Sequence, residues 1–268
     1  MSLEHPHTVN AWSASDMLYG WTTLVQKMVN LAANARKLGL RETWKLYRYR
    51  IHERYHDWRL GIRTSGLIDP SELGGDADCQ PYEAIHYRCL ETIMDYFDPS
   101  PDRDVLLDYG SGMGRAVIVA ALRPFRRVIG VELSAELSAA ARENLRRVSR
   151  KLHCHDVQII TTDARDYEVP QDVTAVFLFN PFTGSVLEAV QNHIRQSLAD
   201  HPRPLRLVYM HPMHQENTFD RLEWLERDAR LPTADWDDVV MVGYRAIPER
   251  AATEPHTARA ILCQNERH

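Results

Sequence analysis

A glycine-rich segment, Asp108–Gly114 (DYGSGMG), directly follows a short run of aliphatic residues. This pattern predicts a strand that enters a tight turn and then a helix, so that bare backbone can approach a bound ligand. Gly110, Gly112 and Gly114 are spaced at 0, +2 and +4, whereas a dinucleotide-binding turn usually has its third glycine at +5. Position +5 here is Arg115. The segment therefore favours a nucleotide-like cofactor and disfavours NAD.

Polar residues also follow the next three predicted strands. Glu132 ends the second strand, 22 residues after Gly110, where a carboxylate can accept hydrogen bonds from a ribose diol. The third strand leads into Asp163 and Ala164, and the fourth ends at Asn180. Because the carboxyl ends of parallel strands share one edge of a sheet, these groups are expected to line one ligand crevice.

Each of these positions also has a purely structural interpretation. The glycines can form a tight turn without a ligand, and Glu132 and Asp163 can cap the helices that follow them. Three successive strand ends that fit a single cofactor pattern favour the binding interpretation over separate structural ones.

Thirteen histidines raise the question of a metal site. The best-spaced pairs, His153 with His155 and His211 with His214, lack a matching second half, so no metal is predicted. His211 ends the fifth predicted strand, at the same edge as the glycine turn, where a neutral imidazole could take a proton from an acceptor. The alternative is a hydrogen-bonded histidine that merely ends a strand.

The elements that position these residues alternate from about residue 104 onward, which predicts an α/β fold with a parallel sheet. Seven strands are predicted, at Val105–Asp108, Val128–Glu132, Val157–Thr161, Val173–Asn180, Leu205–Met210, Val239–Tyr244 and Ala258–Cys263. Helices are predicted at Arg115–Leu122, Ala135–Arg150, Gly184–Leu198 and Gln215–Arg227. The last two strands are expected to form an antiparallel hairpin at one edge of this mostly parallel, Rossmann-like sheet, with helices on both faces.

The first hundred residues predict helices rather than strands. Large apolar residues recur at helical spacing between Leu40 and Trp58, and residues 36–63 carry nine basic and three acidic side chains, a local charge of +6. Either this helix presents a cationic surface to an anionic substrate or RNA, or its aromatic stripe packs on the α/β domain; packing is the favoured interpretation. Residues 61–75 are expected to connect a helical extension or lid, 1–80, to a catalytic domain, 81–268.

Composition sets broader limits. The 268 residues have a net charge of -5 and 44% hydrophobic side chains, which is typical of a globular protein and argues against a surface built wholly for nucleic acid. The four cysteines form no CxxC pair, and no leader or membrane-spanning run is apparent. These features predict a cytoplasmic protein that does not act at a membrane.

Residues from about 82 to 210 resemble the class I S-adenosylmethionine-dependent methyltransferases. The resemblance rests on the glycine turn, the acid after the second strand and the Asp-Ala pair after the third. It implies S-adenosylmethionine as cofactor, with Glu132 on the ribose and Asp163 with the Ala164 amide at the adenine edge. It also implies that the turn holds the methionine end, through Asp108, Gly110, Ser111, Gly112 and Gly114.

The same resemblance implies further site residues. Asn180-Pro-Phe182 is similar to the Asn-Pro-Pro-aromatic signature of enzymes that methylate planar nitrogens, although one proline is missing. Asn180 would then contact both donor and acceptor, and Pro181, Phe182 and His214 would line the acceptor pocket. Tyr82 and His86, expected at the start of a helix before the first strand, would lie across the methionine part of the cofactor; ordinary helix residues are the alternative.

The expected reaction is methyl transfer to a nitrogen, or an oxygen, of a small molecule, with Asn180 and His211 as catalytic residues. A protein-lysine or RNA methyltransferase that docks through the basic helix is the second hypothesis, favoured less. A third is a noncatalytic regulatory protein that keeps the cofactor site. The sequence does not predict the acceptor's identity or the oligomeric state.

Overall fold

The computed structural model describes residues 36–37, 39–65, 67–68, 82–234, 236 and 238–252. The chain divides into two compact units, 1–52 and 53–268. Helix α1, Leu40–Leu60, begins in the first unit and continues into the second. The division into an extension, 1–80, and a catalytic domain, 81–268, stays a prediction.

The described residues of the second unit are organised around a seven-stranded sheet. Its strands are β3 (Val105–Tyr109), β4 (Arg127–Glu132), β5 (Val157–Thr161), β6 (Ala175–Phe179), β7 (Arg206–Pro212), β8 (Leu225–Leu231) and β9 (Val239–Ala246). Their order across the sheet is β5-β4-β3-β6-β7-β9-β8. Two short strands, β1 (Leu67–Ile68) and β2 (Tyr82–Glu83), pair antiparallel as a separate ribbon.

The first five strands of the large sheet are parallel, with β3 at the centre. In β3, Asp108 lies opposite Gly130 of β4 and Phe177 of β6. The strands β7 and β9 are antiparallel, as are β8 and β9. The carboxyl ends of β3 to β7 therefore meet at one edge, and the predicted α/β fold, a mostly parallel Rossmann-like sheet with an antiparallel terminal hairpin, is confirmed.

Helices cover both faces of the sheet. Successive residues of a strand point to opposite faces, so each central strand contributes to two cores. Leu106 packs in one core with the helices α2 (Tyr87–Phe97), α3 (Arg115–Ala121) and α4 (Ala135–Val148). Val105 and Leu107 pack in the other core, with α5 (Gly184–Asp200) and the short α6 (Pro248–Ala251).

The hairpin is built from a different pair of segments than expected. The predicted helix at Gln215–Arg227 is wrong: a short 3₁₀ turn, Thr218–Arg221, leads into β8. This strand pairs with β9, and the strand predicted at Ala258–Cys263 lies outside the described residues.

The reason for this error is that β8 is an edge strand. Within the described residues it pairs on one side only, and its central residues are mostly charged and exposed, which is how edge strands avoid pairing with other chains. A register shift between Arg227 and Ala229 further disturbs the alternation of apolar and polar residues by which strands are recognised.

Two expectations for the N-terminal part are also corrected. The aromatic stripe of α1 is not buried: Trp44, Tyr55 and Trp58 are exposed, as are Leu40 and Ile51, whereas Glu53 and Asp57 of the same helix are buried. Tyr82 does not begin a helix but lies in β2, and α2 starts only at Tyr87. None of the described helices is long and apolar enough to cross a membrane.

Candidate active site

The glycine turn between β3 and α3 is surrounded closely on two sides. Gly110 and Gly112 have φ angles of +74° and +54°, in the left-handed region that favours glycine. A Cβ on Gly112 would lie 2.1 Å from the ring of Tyr82, and one on Gly110 would lie 2.4 Å from Cβ of Pro181. Glycine is therefore required here for the approach of β2 and of the loop after β6.

Glu132 is fixed beside this turn at the end of β4. Its carboxylate accepts hydrogen bonds from the amide of Gly112, at 2.8 Å, and from the amide of Ser134, at 2.9 Å. Burial raises the pKa of Glu132, and these amide hydrogen bonds partly oppose that effect. Ser134, rather than Glu132, caps α4. The capping alternative therefore does not account for Glu132.

Asp108 and Ser111 hold buried polar atoms without satisfied hydrogen bonds. Oδ2 of Asp108 and Oγ of Ser111 have no partner within the part of the chain that the structure describes. Burial raises the pKa of Asp108 well above its usual range, and the charge of Glu132 adds to this. Such atoms require an explanation in a native protein, and a bound ligand with donor groups supplies one. The turn therefore fits the cofactor that the sequence implies.

At the end of β5, Asp163 has the capping role that was the alternative to cofactor binding. Asp163 caps the 3₁₀ turn Ala164–Asp166, and Arg165 contacts its carboxylate at 2.6 Å. The side-chain hydrogen bonds from Arg165 lower the pKa of Asp163. Ala164 is buried. Contact of this pair with an adenine stays a prediction, and it requires Asp163 to serve as both cap and ligand.

Asn180 follows β6 directly and lies at φ +37°, a conformation that asparagine adopts more easily than most residues. The hydroxyl of Tyr209 donates to its Oδ1 at 3.2 Å, and Nε2 of Gln215 donates to that hydroxyl at 3.4 Å. Burial raises the pKa of Tyr209 to about 12, so the hydroxyl keeps its proton. The amide of Asn180 is thus oriented by a residue of the neighbouring strand β7.

His211 lies near the end of β7, where its ring stacks on that of Tyr209 with centroids 5.1 Å apart. Its Nδ1 is 2.8 Å from the carbonyl oxygen of Pro212. Because a carbonyl only accepts, Nδ1 carries the proton and Nε2 presents a lone pair. Nε2 is buried and has no hydrogen-bond partner among the described residues. Burial lowers the pKa of His211, so the imidazole is neutral at physiological pH.

The remaining predicted residues lie in different surroundings. His86 precedes α2 and stacks on Trp236, with ring centroids 3.9 Å apart, and Trp236 also contacts Phe179. Phe182 is buried against Tyr109, whereas His214 is exposed. Phe179 directly precedes Asn180 in the chain, and the role of these residues in acceptor binding stays a prediction.

The glycine turn is in direct contact with Tyr82, Pro181 and Glu132. Tyr209 contacts both Asn180 and His211. Sequence reasoning missed Tyr209 and Trp236, since an aromatic residue in a strand or loop gives no signal of its own. Arg115 served there as an argument against NAD, and its buried contacts were not predicted. In the described ranges, no three His, Cys, Asp or Glu side chains are grouped to hold a metal ion.

Residues 106–201, less than half of the chain, match the family model "Methyltransferase domain". They run from β3 to the end of α5 and include the glycine turn, Glu132 and Asn180. No curated protein matches the chain.

Several solved structures are similar to this chain at low sequence identity. An RNA methyltransferase from Salinibacter ruber, in complex with S-adenosyl-L-homocysteine, is 21% identical with a TM-score of 0.45, covering 61% of this chain and 93% of that one. Magnesium protoporphyrin IX methyltransferase from Synechocystis PCC 6803, with bound SAM, is 13% identical with a TM-score of 0.48, covering 60% and 79%. An O-methyltransferase from Thermotoga maritima is 17% identical with a TM-score of 0.47, covering 62% and 67%. Likenesses this distant do not identify an acceptor.

Proposed function

We propose that the chain is an S-adenosylmethionine-dependent methyltransferase that methylates a nitrogen, or an oxygen, of a small molecule, since residues 106–201 match the family model "Methyltransferase domain" and lie in a mostly parallel, Rossmann-like sheet. The observation that carries the proposal is the group formed by Asn180, Tyr209 and His211. It lies at the same sheet edge as the glycine turn and combines an oriented amide with a neutral base.

S-adenosylmethionine supplies an electrophilic methyl group when it is bound. The residues of this chain that would hold it are the glycine turn with Asp108 and Ser111, the carboxylate of Glu132, and Asp163 with the Ala164 amide. Displacement at a sulfonium needs little covalent help, so the protein has to orient the acceptor and remove its proton.

Asn180 would orient the acceptor. Its Oδ1 already accepts from Tyr209, but a carbonyl oxygen has a second lone pair for an amine donor, and its Nδ2 can donate to an oxygen. His211 would take the proton, because Nε2 is a free lone pair in the neutral ring. This arrangement supports either a nitrogen or a hydroxyl acceptor.

One observation favours the second candidate, a protein or RNA acceptor. Near the end of α1, Tyr55 and Trp58 are exposed beside the exposed Arg54 and Arg59. Aromatic rings interleaved with arginines can stack on bases and contact phosphates. A compact planar acceptor is favoured over a protein or RNA acceptor, since the rings of His86, Trp236 and Phe179 form a contiguous aromatic group and Phe179 directly precedes Asn180 in the chain.

The test is transfer of an isotope-labelled methyl group from S-adenosylmethionine to cell extract separated into small-molecule, RNA and protein fractions. Label is expected in the small-molecule fraction, and alkali distinguishes labile methyl esters from stable N-methyl products. Glu132→Ala serves as a control that should transfer much less label at a low concentration of S-adenosylmethionine. Label confined to RNA or protein would overturn the small-molecule proposal, and no transfer to any fraction would overturn the activity.

A further inference from the structure

Arg115, the first residue of α3, is 3% exposed and uses its guanidinium group to hold residues that precede the α/β core in the sequence. Its Nε donates to Oγ1 of Thr64 at 2.7 Å, and its Nη2 donates to Oγ of Ser65 at 2.8 Å. Its Nη1 donates to the carbonyl of Ile85 at 2.8 Å and pairs with the carboxylate of Glu53. All three nitrogens of the planar guanidinium group thus donate hydrogen bonds to other groups of the protein.

Asp57 completes this cluster from the end of α1. It accepts from the hydroxyls of Thr64 and Tyr87, at 2.7 and 2.6 Å, and from the backbone amide of Thr64 at 3.1 Å. Arg115 lies 3.5 Å from the same carboxylate and 4.5 Å from the centre of the Tyr87 ring. Thr64, which is fully buried, therefore links Arg115 to Asp57 through a single hydroxyl.

From Thr64 the contacts continue to the glycine turn. The hydroxyl of Tyr82 donates to the carbonyl oxygen of Thr64 at 2.6 Å, and the Tyr82 ring occupies the space where a Cβ of Gly112 would lie. The amide of Gly112 in turn donates to Glu132. Arg115 is thereby connected, through Thr64 and Tyr82, to the glycine turn and to the carboxylate of Glu132, although it contacts neither Gly112 nor Glu132 through its side chain.

Asn144 of α4 fixes the same segment a second time. It accepts from the amide of Arg63 at 3.1 Å and donates to the carbonyls of Arg63, at 2.9 Å, and Met113, at 3.1 Å. Residues 63–65 are therefore attached both to the residue before the last glycine of the turn and to the residue after it.

We propose that Arg115 and Thr64 are positioning residues for the methionine end of the cofactor. They hold residues 63–65, and through them the Tyr82 ring, against Gly112, so that the turn keeps the shape that receives the amino acid part of the ligand. Neither residue contacts the cofactor itself. The proposal rests on the proposed function, since it requires S-adenosylmethionine at this turn.

Thr64→Val tests the proposal, because it removes the bridging hydroxyl and keeps the shape of the side chain. Calorimetry would compare S-adenosylhomocysteine with methylthioadenosine, which lacks the amino acid part. Affinity for S-adenosylhomocysteine should fall by about tenfold, the cost of two lost hydrogen bonds, while that for methylthioadenosine should change by less than about threefold. Thr64→Ser, which retains the hydroxyl, should restore binding of S-adenosylhomocysteine.

Arg123→Lys is the matched control, since Arg123 pairs with Asp95 at the surface and should affect neither ligand. If Thr64→Val does not fold, Tyr82→Phe decides instead, because it removes only the hydroxyl bonded to Thr64 and should also weaken S-adenosylhomocysteine selectively. Equal losses for both ligands, or normal binding by the deciding variant, would overturn the positioning role. Failure of the wild-type protein to bind either ligand would overturn the proposed function and the positioning role with it.

Discussion

Burial of the Asp108 carboxyl group lowers the stability of the folded protein. Its Oδ2 is buried without a partner in the described structure, and its pKa is raised well above the usual range. A carboxyl group with a raised folded-state pKa favours folding most at low pH, and this contribution is lost as the pH rises through that pKa. At neutral pH, burial of this carboxyl group therefore opposes folding, because the same group is ionised in the unfolded chain.

Asp108→Asn should accordingly stabilise the protein at pH 8 by about 1–3 kcal/mol, because an amide, unlike the carboxyl group, does not have to take up a proton or bury a charge on folding. The gain should shrink as the pH approaches 4. Calorimetric unfolding at several pH values measures this directly, and binding of S-adenosylhomocysteine should weaken in the same variant. If the stability gained by Asp108→Asn over wild type were smaller at pH 8 than at pH 5, the buried carboxyl group of Asp108 would not be the source of the instability.

His211 leads to a different dependence on pH. Because burial lowers its pKa below the ordinary 6.5, the imidazole is already a free base at pH 7 and gains a proton only in more acidic solution. Turnover should be constant above pH 7 and fall on the acid side, below 6.5. His211→Gln should cut turnover by about a hundredfold or more and remove this acid limb.

The matched control is His214→Gln, since His214 is exposed three residues further along the chain. It should keep the acid limb of the pH–rate profile. An unchanged profile in His211→Gln would assign the proton transfer to another group.

At the level of elements, the sequence predicted correctly those features that depend on residues close together in the chain. The glycine turn, Glu132 and Asn180 were placed correctly at strand ends, because a strand, a turn and a helix each leave a short local pattern. Arg115 could not be understood in this way, since its partners Glu53 and Thr64 lie 62 and 51 residues away. Contacts over such separations leave no periodicity to detect.

Helix α1 shows a related limit. The helical spacing of its apolar residues located the helix, but the face that is buried carries Glu53 and Asp57, whose charges are satisfied by Arg115. A buried cation elsewhere in the chain thus reversed the usual rule that the apolar face of a helix points inward.

Two tryptophans test this arrangement of α1. Trp58 is 76% exposed, whereas Trp224, which precedes β8, is 1% exposed. Trp58→Ala should change the free energy of unfolding by no more than about 0.5 kcal/mol, while Trp224→Ala should lower it by about 3–5 kcal/mol. Urea unfolding of both variants provides the comparison. A large loss of stability in Trp58→Ala would mean that the stripe is covered in solution.

At the scale of the molecule, the parallel sheet brings the proposed site residues together, and the segment before it contacts the glycine turn. The strands β3 to β7 bring the turn, Glu132, Asn180 and His211 to one edge. Residues 53–65 and 82–87 are then fastened to that edge by Arg115 and Asn144. Cofactor binding should therefore be transmitted to the stability of the whole second unit.

Thermal unfolding with added ligands tests this last expectation. S-adenosylhomocysteine at a hundred times its Kd should add about 2.7 kcal/mol to the free energy of unfolding, and the melting temperature should rise accordingly. NAD should have no such effect, because Arg115 fills the position of the packing glycine and its guanidinium is held by Glu53 and Thr64. In Glu132→Ala the affinity for S-adenosylhomocysteine should fall by about 1.5–3 kcal/mol, so the same concentration should raise the melting temperature much less. A shift with NAD alone would overturn the cofactor assignment, and a full shift in Glu132→Ala would remove Glu132 from the ribose site.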